Sequence, residues 1–106
     1  MTAPVFYILL SLSLRDRHGY EILKDVQAGS ADRVRLGPGT LYTTLKRMLE
    51  AGLISELDSS SRPDQDDTRR RYYRLTDHGR VALNGELSRM KEALKMAGTR
   101  QLKASS

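Results

Sequence analysis

The order of its periodic segments constrains the fold of this chain more than any other feature. Apolar residues recur at helical spacing in three successive stretches, at about residues 4–12, 19–28 and 37–51. Two shorter stretches, at about residues 53–57 and 71–75, then alternate apolar and polar side chains, which is the pattern of half-buried strands. A final helical stretch reaches about residue 97. This order predicts a mainly α fold with a small β-hairpin.

Turn and cap signals mark the joints between these segments. Gly37-Pro38-Gly39 precedes the third helix and Gly52 follows it, while Thr76 with Asp77 predicts the cap of the last helix. Residues 58–68 are polar throughout and predict a mobile loop at the hairpin tip. Three helices followed by a hairpin are the layout of a winged helix-turn-helix. We therefore expect this domain in residues 1–76, a dimerisation helix in 77–98 and a flexible tail in 99–106.

Two further local patterns give expectations about packing. The first helix is apolar on nearly all sides, which predicts that it lies at the buried centre of the assembly. The charged residues 15–19 then end it. Val34 and Leu36 alternate with Arg33 and Arg35, which predicts a short extended segment.

Composition narrows the classes of partner. The 106 residues suffice for one domain, and the formal net charge of +5 favours an anionic partner such as nucleic acid, although charge alone also fits an inert basic surface. The chain has no cysteine, which excludes disulfides and thiolate metal sites and fits a reduced, cytoplasmic setting. The longest apolar run, Val5 to Leu10, is far shorter than the roughly 20 residues that span a bilayer, so we expect no membrane segment.

The third helix presents two different faces. One is apolar, and the other carries small hydroxyl and basic side chains, namely Thr40, Thr43, Lys46 and Arg47, together with Glu50. Threonine can contact base edges or the thymine methyl, and lysine or arginine can reach guanine or phosphate. The free N–H groups at a helix N-terminus also favour phosphate. This pattern is typical of a helix that lies in the major groove, although an ordinary solvated face remains the alternative.

The second hairpin strand is strongly basic, with Arg69, Arg70, Arg71 and Arg74 close together. Successive strand residues point to opposite faces, so at least two of these arginines should lie beside the third helix. We interpret them as a basic wing that contacts the sugar-phosphate backbone or a neighbouring groove. The alternative is that aspartates of the hairpin loop neutralise them, these being Asp64, Asp66 and Asp67.

Three ordered fragments resemble a known family. They are His18-Gly19-Tyr20-Glu21-Ile22, then Gly39-Thr40-Leu41-Tyr42 with Leu45-Lys46-Arg47-Met48 and Gly52-Leu53-Ile54, and lastly residues 71–80, RYYRLTDHGR. Together, from about Val5 to Leu83, they resemble the PadR family of bacterial transcriptional regulators. The resemblance implies a winged helix that binds operator DNA as a homodimer, usually as a repressor. The chain departs from the commoner pattern in its long acidic wing loop and in having only about one helix after Gly79.

The resemblance also assigns site residues. It places Gly39, Thr40, Tyr42, Thr43, Lys46 and Arg47 on the recognition helix and Arg71 and Tyr72 on the wing. With the neighbouring Arg69 and Arg70, these form the predicted DNA-binding set. Some relatives respond to phenolic or drug-like compounds, so a small-molecule effector is a candidate partner. Its pocket would lie at the dimer interface near Phe6, Tyr7 and Leu87.

The last helix carries a heptad seam. Its members step by four and three residues, and they are Leu83, Leu87, Met90, Leu94 and Ala97. The seam covers only about two heptads, and it could instead pack on the chain's own first helix. We expect both, with helix one and the last helix of one chain packing against those of its partner. The predicted dimerisation residues are Phe6, Leu9, Leu83, Leu87, Met90 and Leu94.

The sequence offers little for catalysis. His18 and His78 each stand beside a turn with a neighbouring aspartate, which is a capping arrangement far more often than a metal site. No glycine-rich phosphate loop of the usual spacing is present. We therefore expect no enzyme activity, no metal and no cofactor. The main rival to DNA binding is a winged helix that serves as a protein-interaction module.

Overall fold

A computed structural model describes residues 1–58 and 70–99 of the chain. Its elements, in chain order, are α1 (Ala3–Leu14), β1 (Arg17–His18), α2 (Gly19–Gly29), α3 (Pro38–Glu50), β2 (Ile54–Glu56), β3 (Tyr72–Leu75) and α4 (Asp77–Thr99). The prediction of a mainly α fold with a small hairpin is confirmed. The hairpin loop and the end of the predicted tail lie outside the described residues. None of the described helices is both long and apolar enough to cross a membrane.

The sheet has three strands rather than the two that the sequence predicts. Its order is β1-β3-β2, and both neighbouring pairs are antiparallel. His18 pairs with Tyr72, and Ile54 pairs with Leu75. Strand β1 is only two residues long, which is too short to show an alternating apolar and polar pattern in the sequence. The expected extended segment at Val34 and Leu36 is irregular backbone whose two apolar side chains pack against the core.

The core sits between α1, α2, α3 and the sheet. Ile8 and Leu9 of α1 have no exposed surface, and Leu83 of α4 closes the core with 3% exposure. Helix α1 is nevertheless not covered on every side by its own chain, because Leu10 is 37% and Leu14 75% exposed. One copy of the chain therefore buries most of α1 but not all of it, and burial of α1 at the centre of an assembly stays a prediction.

Local hydrogen bonds define the helix ends. The His18 ring accepts from the Glu21 N–H, and the Glu21 carboxylate accepts from the His18 N–H at 3.1 Å, which forms a capping box at the start of α2. Helix α3 ends in a Schellman motif, because Leu53 N–H donates to the Met48 carbonyl and Gly52 has a φ of 75°. The predicted cap of α4 is confirmed, since the Thr76 hydroxyl accepts from the Gly79 N–H at 2.9 Å.

Two arginines fasten the sheet to the helices. Arg17 is 6% exposed and donates through Nε to the Ser11 carbonyl of α1 at 3.1 Å, with Asp25 of α2 3.6 Å away. Arg74 donates hydrogen bonds through both Nε and Nη2 to the Asp16 carboxylate, and the shortest of these contacts is 2.8 Å. The charged stretch that ends α1 therefore holds the edge of the sheet in place.

Candidate nucleic-acid interface

Helix α3 separates a core face from a solvent face. Leu41, Leu45 and Met48 are at most 2% exposed and anchor the helix. The opposite side lies open to solvent, and its predicted DNA-binding members are Gly39, Thr40, Thr43, Lys46 and Arg47. The N-cap residue Gly37 supplies no side-chain hydrogen bond. The first N–H groups of α3 therefore lack a side-chain acceptor at the cap, which suits an anion.

Tyr42 behaves differently from the other predicted residues of α3. It is 45% exposed, but its ring lies against Gly19 at the start of α2. A Cβ atom at Gly19 would overlap the Tyr42 hydroxyl and lie 2.9 Å from Cζ. A larger residue at position 19 would displace the Tyr42 side chain, so the small Gly19 lets Tyr42 pack where α3 approaches α2.

A cleft joins α3, α2 and the base of the wing. It has a volume of about 520 Å³ and is lined by His18, Gly19, Tyr20, Tyr42, Arg70 and Arg71. Arg70 Nη1 lies 3.4 Å from His18 Nε2, and both arginines are exposed to solvent. The cleft therefore brings three of the predicted DNA-binding residues together. Arg69 lies outside the described residues, as do Asp64, Asp66 and Asp67.

Tyr72 corrects one part of the predicted site. Its side chain is 3% exposed, and its ring stands edge-on to His18 with 5.3 Å between centroids. Successive strand residues point to opposite faces of the sheet, so Tyr72 and Tyr73 point apart, yet both tyrosines are buried. The His18 ring, which strand β1 brings beside Tyr72, helps to cover the side that a two-stranded hairpin would leave open. Tyr72 is therefore a core residue and not a direct contact for DNA.

Arg74 and Arg71 differ although both are exposed on or beside β3. The hydrogen bonds and charge of Asp16 raise the pKa of Arg74 and hold its guanidinium against the segment between α1 and β1. Burial, the largest cause, and the charge of Glu56 raise the pKa of Tyr73, and the charge of Arg71 lowers it. Arg71 lines the cleft, whereas Asp16 holds Arg74 in an ion pair, so Arg71 is better suited to phosphate than Arg74.

Helix α2 contributes further residues to the surface beside the cleft. Tyr20 is 63% exposed, and Lys24 Nζ lies 5.3 Å from the centre of its ring. Glu21 completes the local charge pattern. Partial burial raises the pKa of its carboxyl, but hydrogen bonds from His18 and Arg15 lower it, and the net shift is downward.

The predicted dimerisation residues fall into two groups. Phe6, Leu9 and Leu83 lie in the chain's own core with at most 8% exposure. Leu87, Met90 and Leu94 are exposed by 38%, 41% and 74%, respectively. The outer half of α4, beyond Leu83, thus carries an apolar stripe that its own chain leaves uncovered.

Metal binding finds no support in the geometry. Within residues 1–58 and 70–99, no three histidine, aspartate or glutamate side chains approach one another closely enough to hold a metal ion. His18 is instead the capping residue of α2, and His78 lies exposed in the first turn of α4.

Comparisons with known proteins agree on one family. Residues 8–85 match the family described as the transcriptional regulator PadR-like family. A PadR family transcription regulator from hypervirulent Clostridium difficile R20291 is 30% identical, with a TM-score of 0.73 over 92% of this chain and 97% of that one. A transcriptional regulator from Clostridium thermocellum is 25% identical, with a TM-score of 0.70 over 91% of this chain and 87% of that one.

A third structure is less similar in sequence. Bacillus subtilis PadR, in complex with operator DNA, is 21% identical with a TM-score of 0.67, over 81% of this chain and 47% of that one. Similarity at this level shows the shared fold. A comparison with curated protein sequences gives no match.

Proposed function

This chain belongs to the PadR-like family of transcriptional regulators, and from that premise we propose that it binds double-stranded operator DNA as a homodimeric repressor. The observation that carries the proposal is the continuity of the exposed face of α3 with the cleft at the base of the wing. Tyr42 of α3 and Arg70 and Arg71 beside β3 line that one cleft. A duplex that contacts the recognition helix would therefore also meet the wing.

The two parts of this surface would do different work. Thr43 and Lys46 lie on the exposed side of α3, where a groove-bound helix meets base edges and the phosphates beside them. Arg70 and Arg71 lie at the edge of the cleft, where the sugar-phosphate backbone would pass. Base contacts would supply sequence discrimination, and phosphate contacts would supply affinity for every duplex.

A second copy of the chain is the proposed partner for the outer half of α4. Its exposed Leu87, Met90 and Leu94 repeat at heptad spacing, which is the pattern of a helix paired with a like helix. The exposed Leu10 and Leu14 of α1 supply further uncovered apolar surface. The effector expectation remains a prediction, with Tyr7 half-buried and Leu87 exposed on these two helices.

The rival function is a protein-interaction module without DNA binding. Its support is the same exposed apolar stripe on α4, which could bind another protein. The basic face of α3 and the arginines of the cleft favour DNA, because the phosphates of a duplex form a regular row of anions and a protein surface does not.

Salt titration of binding to duplex DNA tests the proposal. We expect a fluorescently labelled duplex to bind, with log K falling linearly against log salt by about 0.9 per phosphate contact. Heparin serves as a competing polyanion. Because it has no bases, it should not show the sequence preference that the protein shows among duplexes. Absence of binding to both random and selected duplexes at low salt would leave the protein-interaction module as the better reading.

A further inference from the structure

The end of the recognition helix and the start of α4 meet in a compact backbone contact. We call it the α3–α4 junction and define it by Gly52, Leu53, Thr76 and Gly79. The Thr76 hydroxyl donates to the Gly52 carbonyl at 2.6 Å and accepts from the Gly79 N–H at 2.9 Å. The Thr76 N–H donates to the Leu53 carbonyl at 3.2 Å. One residue thus bonds to the Schellman turn that ends α3 and to the first turn of α4.

Steric contact tightens the same junction. A Cβ atom at Gly79 would overlap the Leu53 carbonyl oxygen and lie 2.8 Å from Leu75 Cδ1. The Leu53 oxygen is backbone and cannot rotate away as a side chain would, so any residue larger than glycine must shift α4 from β2. Gly85, one and a half turns further along α4, has no such neighbour, because a Cβ atom there would meet nothing within 4 Å.

The junction lies at the start of the long helix α4. Helix α4 has 23 residues, which corresponds to about 35 Å, and its buried residues, Gly79 and Leu83, lie in its first two turns. The exposed heptad stripe lies beyond them. If two copies pair through that stripe, the angle between α3 and α4 in each copy sets the distance between the two recognition helices.

We propose that Thr76 and Gly79 are positioning residues that fix the spacing of the two half-sites this regulator accepts. The inference rests on the proposed function, since it requires a dimer that reads an inverted repeat. Base pairs are spaced by about 3.4 Å along the duplex. A rotation of about 10° at the junction would displace a point about 20 Å away by about 3.5 Å, which is one base-pair step. A change at the junction therefore alters the half-site spacing that the dimer accepts and leaves the DNA-contacting side chains unchanged.

The test uses a set of inverted repeats whose half-sites are those selected by the wild-type protein and whose central spacers vary by one base pair at a time. Wild type should show one preferred spacer. Gly79→Ala should remain dimeric by sedimentation and bind the preferred spacer at least tenfold more weakly, with the optimum moved or flattened. Its affinity for an isolated half-site should change by less than about twofold.

Matched variants separate positioning from general stability. Gly85→Ala adds the same methyl group to the same helix without a contact, so it should keep the wild-type spacing profile. Thr76→Val removes both hydroxyl hydrogen bonds at nearly constant shape and should flatten the profile, whereas Thr76→Ser keeps the hydroxyl and should restore it. If Gly79→Ala does not fold, the Thr76 pair decides the matter.

The outcomes distinguish this inference from the proposed function. A wild-type protein that is monomeric or binds no inverted repeat contradicts the proposed function, and the inference falls with it. A dimeric wild type with a sharp spacer optimum, accompanied by a folded Thr76→Val variant with the same optimum and sharpness, overturns the inference alone.

Discussion

Ala31, in the turn between α2 and α3, holds the clearest backbone strain at the residue scale. Its φ is 54°, and Asp32 beside it has a φ of 65°. Asp32 is held by its backbone bond to Gln27 and by the Gln27 side chain at 3.0 Å, whereas alanine has no polar group to compensate. The left-handed region costs a residue with a Cβ roughly 1–2 kcal/mol.

We therefore expect Ala31→Gly to raise the free energy of unfolding by about 0.5 kcal/mol, after the added entropy of the unfolded chain is subtracted. Urea denaturation measures it. The matched control is Ala28→Gly in α2, where regular helical geometry should make glycine destabilising by up to about 1 kcal/mol. A loss of stability in Ala31→Gly would show that the turn does not strain the native backbone.

Glu21 gives the pH dependence expected of the α2 capping box. Its folded pKa lies below its ordinary value of 4.5, so its charged form is favoured by folding. The contribution is present above the unfolded pKa and is lost as the pH falls through the folded pKa. We expect Glu21→Gln to lose about 0.5 kcal/mol at pH 7, because solvent screens this partly exposed pair, and less at pH 3, which lies below the unfolded pKa. Unfolding curves with equal losses at both pH values would contradict this account.

Single residues also show where sequence reasoning stops. Arg17 and His18 were assigned to a charged break after α1, but they are 6% and 8% exposed and form a strand. Their burial depends on Ser11 and Asp25 for Arg17 and on Tyr72 for His18. Tyr72 is distant in the sequence, so local pattern could not reveal that His18 covers it.

At the scale of elements, two arginines, one in β3 and one directly before it, have surroundings that predict opposite behaviour. Arg74 is held by Asp16 at 2.8 Å, while Arg71 lines the cleft beside α3. We expect Arg71→Ala to weaken specific and random duplexes alike and to lower the salt slope by about one. Arg74→Ala should leave the salt slope unchanged and lower the free energy of unfolding only slightly, because solvent screens an exposed ion pair.

Binding isotherms at several salt concentrations, together with urea denaturation, measure both variants. The reverse result, a salt slope that depends on Arg74 and not on Arg71, would mean that the duplex does not pass along the cleft.

Elements differed in how well the sequence predicted them. The four helices were predicted within about two residues, since long apolar periodicity and caps specify them locally. The hairpin strands were also predicted, but β1 and the irregular segment at Val34 and Leu36 were not. Strand β1 is held by its pairing to β3, and alternation at Val34 and Leu36 reflects two side chains packed on the core rather than a strand.

At the scale of the whole molecule, the α4 stripe is uncovered by the residues that the structure describes, and this gives a prediction about assembly. Leu87 and Leu94 are exposed in one copy, so replacing both with Asp should not disturb the fold of that copy. In a dimer the same charges would be buried in the seam and would be strongly destabilising. We expect the double variant to be folded and monomeric at tens of micromolar, where wild type is dimeric. Val81→Asp, also exposed on α4 but off the seam, should remain dimeric.

Sedimentation and circular dichroism together measure this. A double variant that stays dimeric, or a wild type that is monomeric at the same concentration, would move the partner surface away from α4.

Selection of bound duplexes from random DNA tests the central claim most directly. Two recognition helices related by a two-fold axis should select an inverted repeat with half-site centres about 34 Å apart, or one helical turn. Changing Thr43 or Lys46 to Ala should then weaken the selected site more than random DNA, by about 1–3 kcal/mol where a base contact is lost. Enrichment of a dyad-symmetric site of this spacing is the predicted result. Selected duplexes without symmetry, or no enrichment over many rounds, would contradict the account of this protein as a dimeric reader of operator DNA.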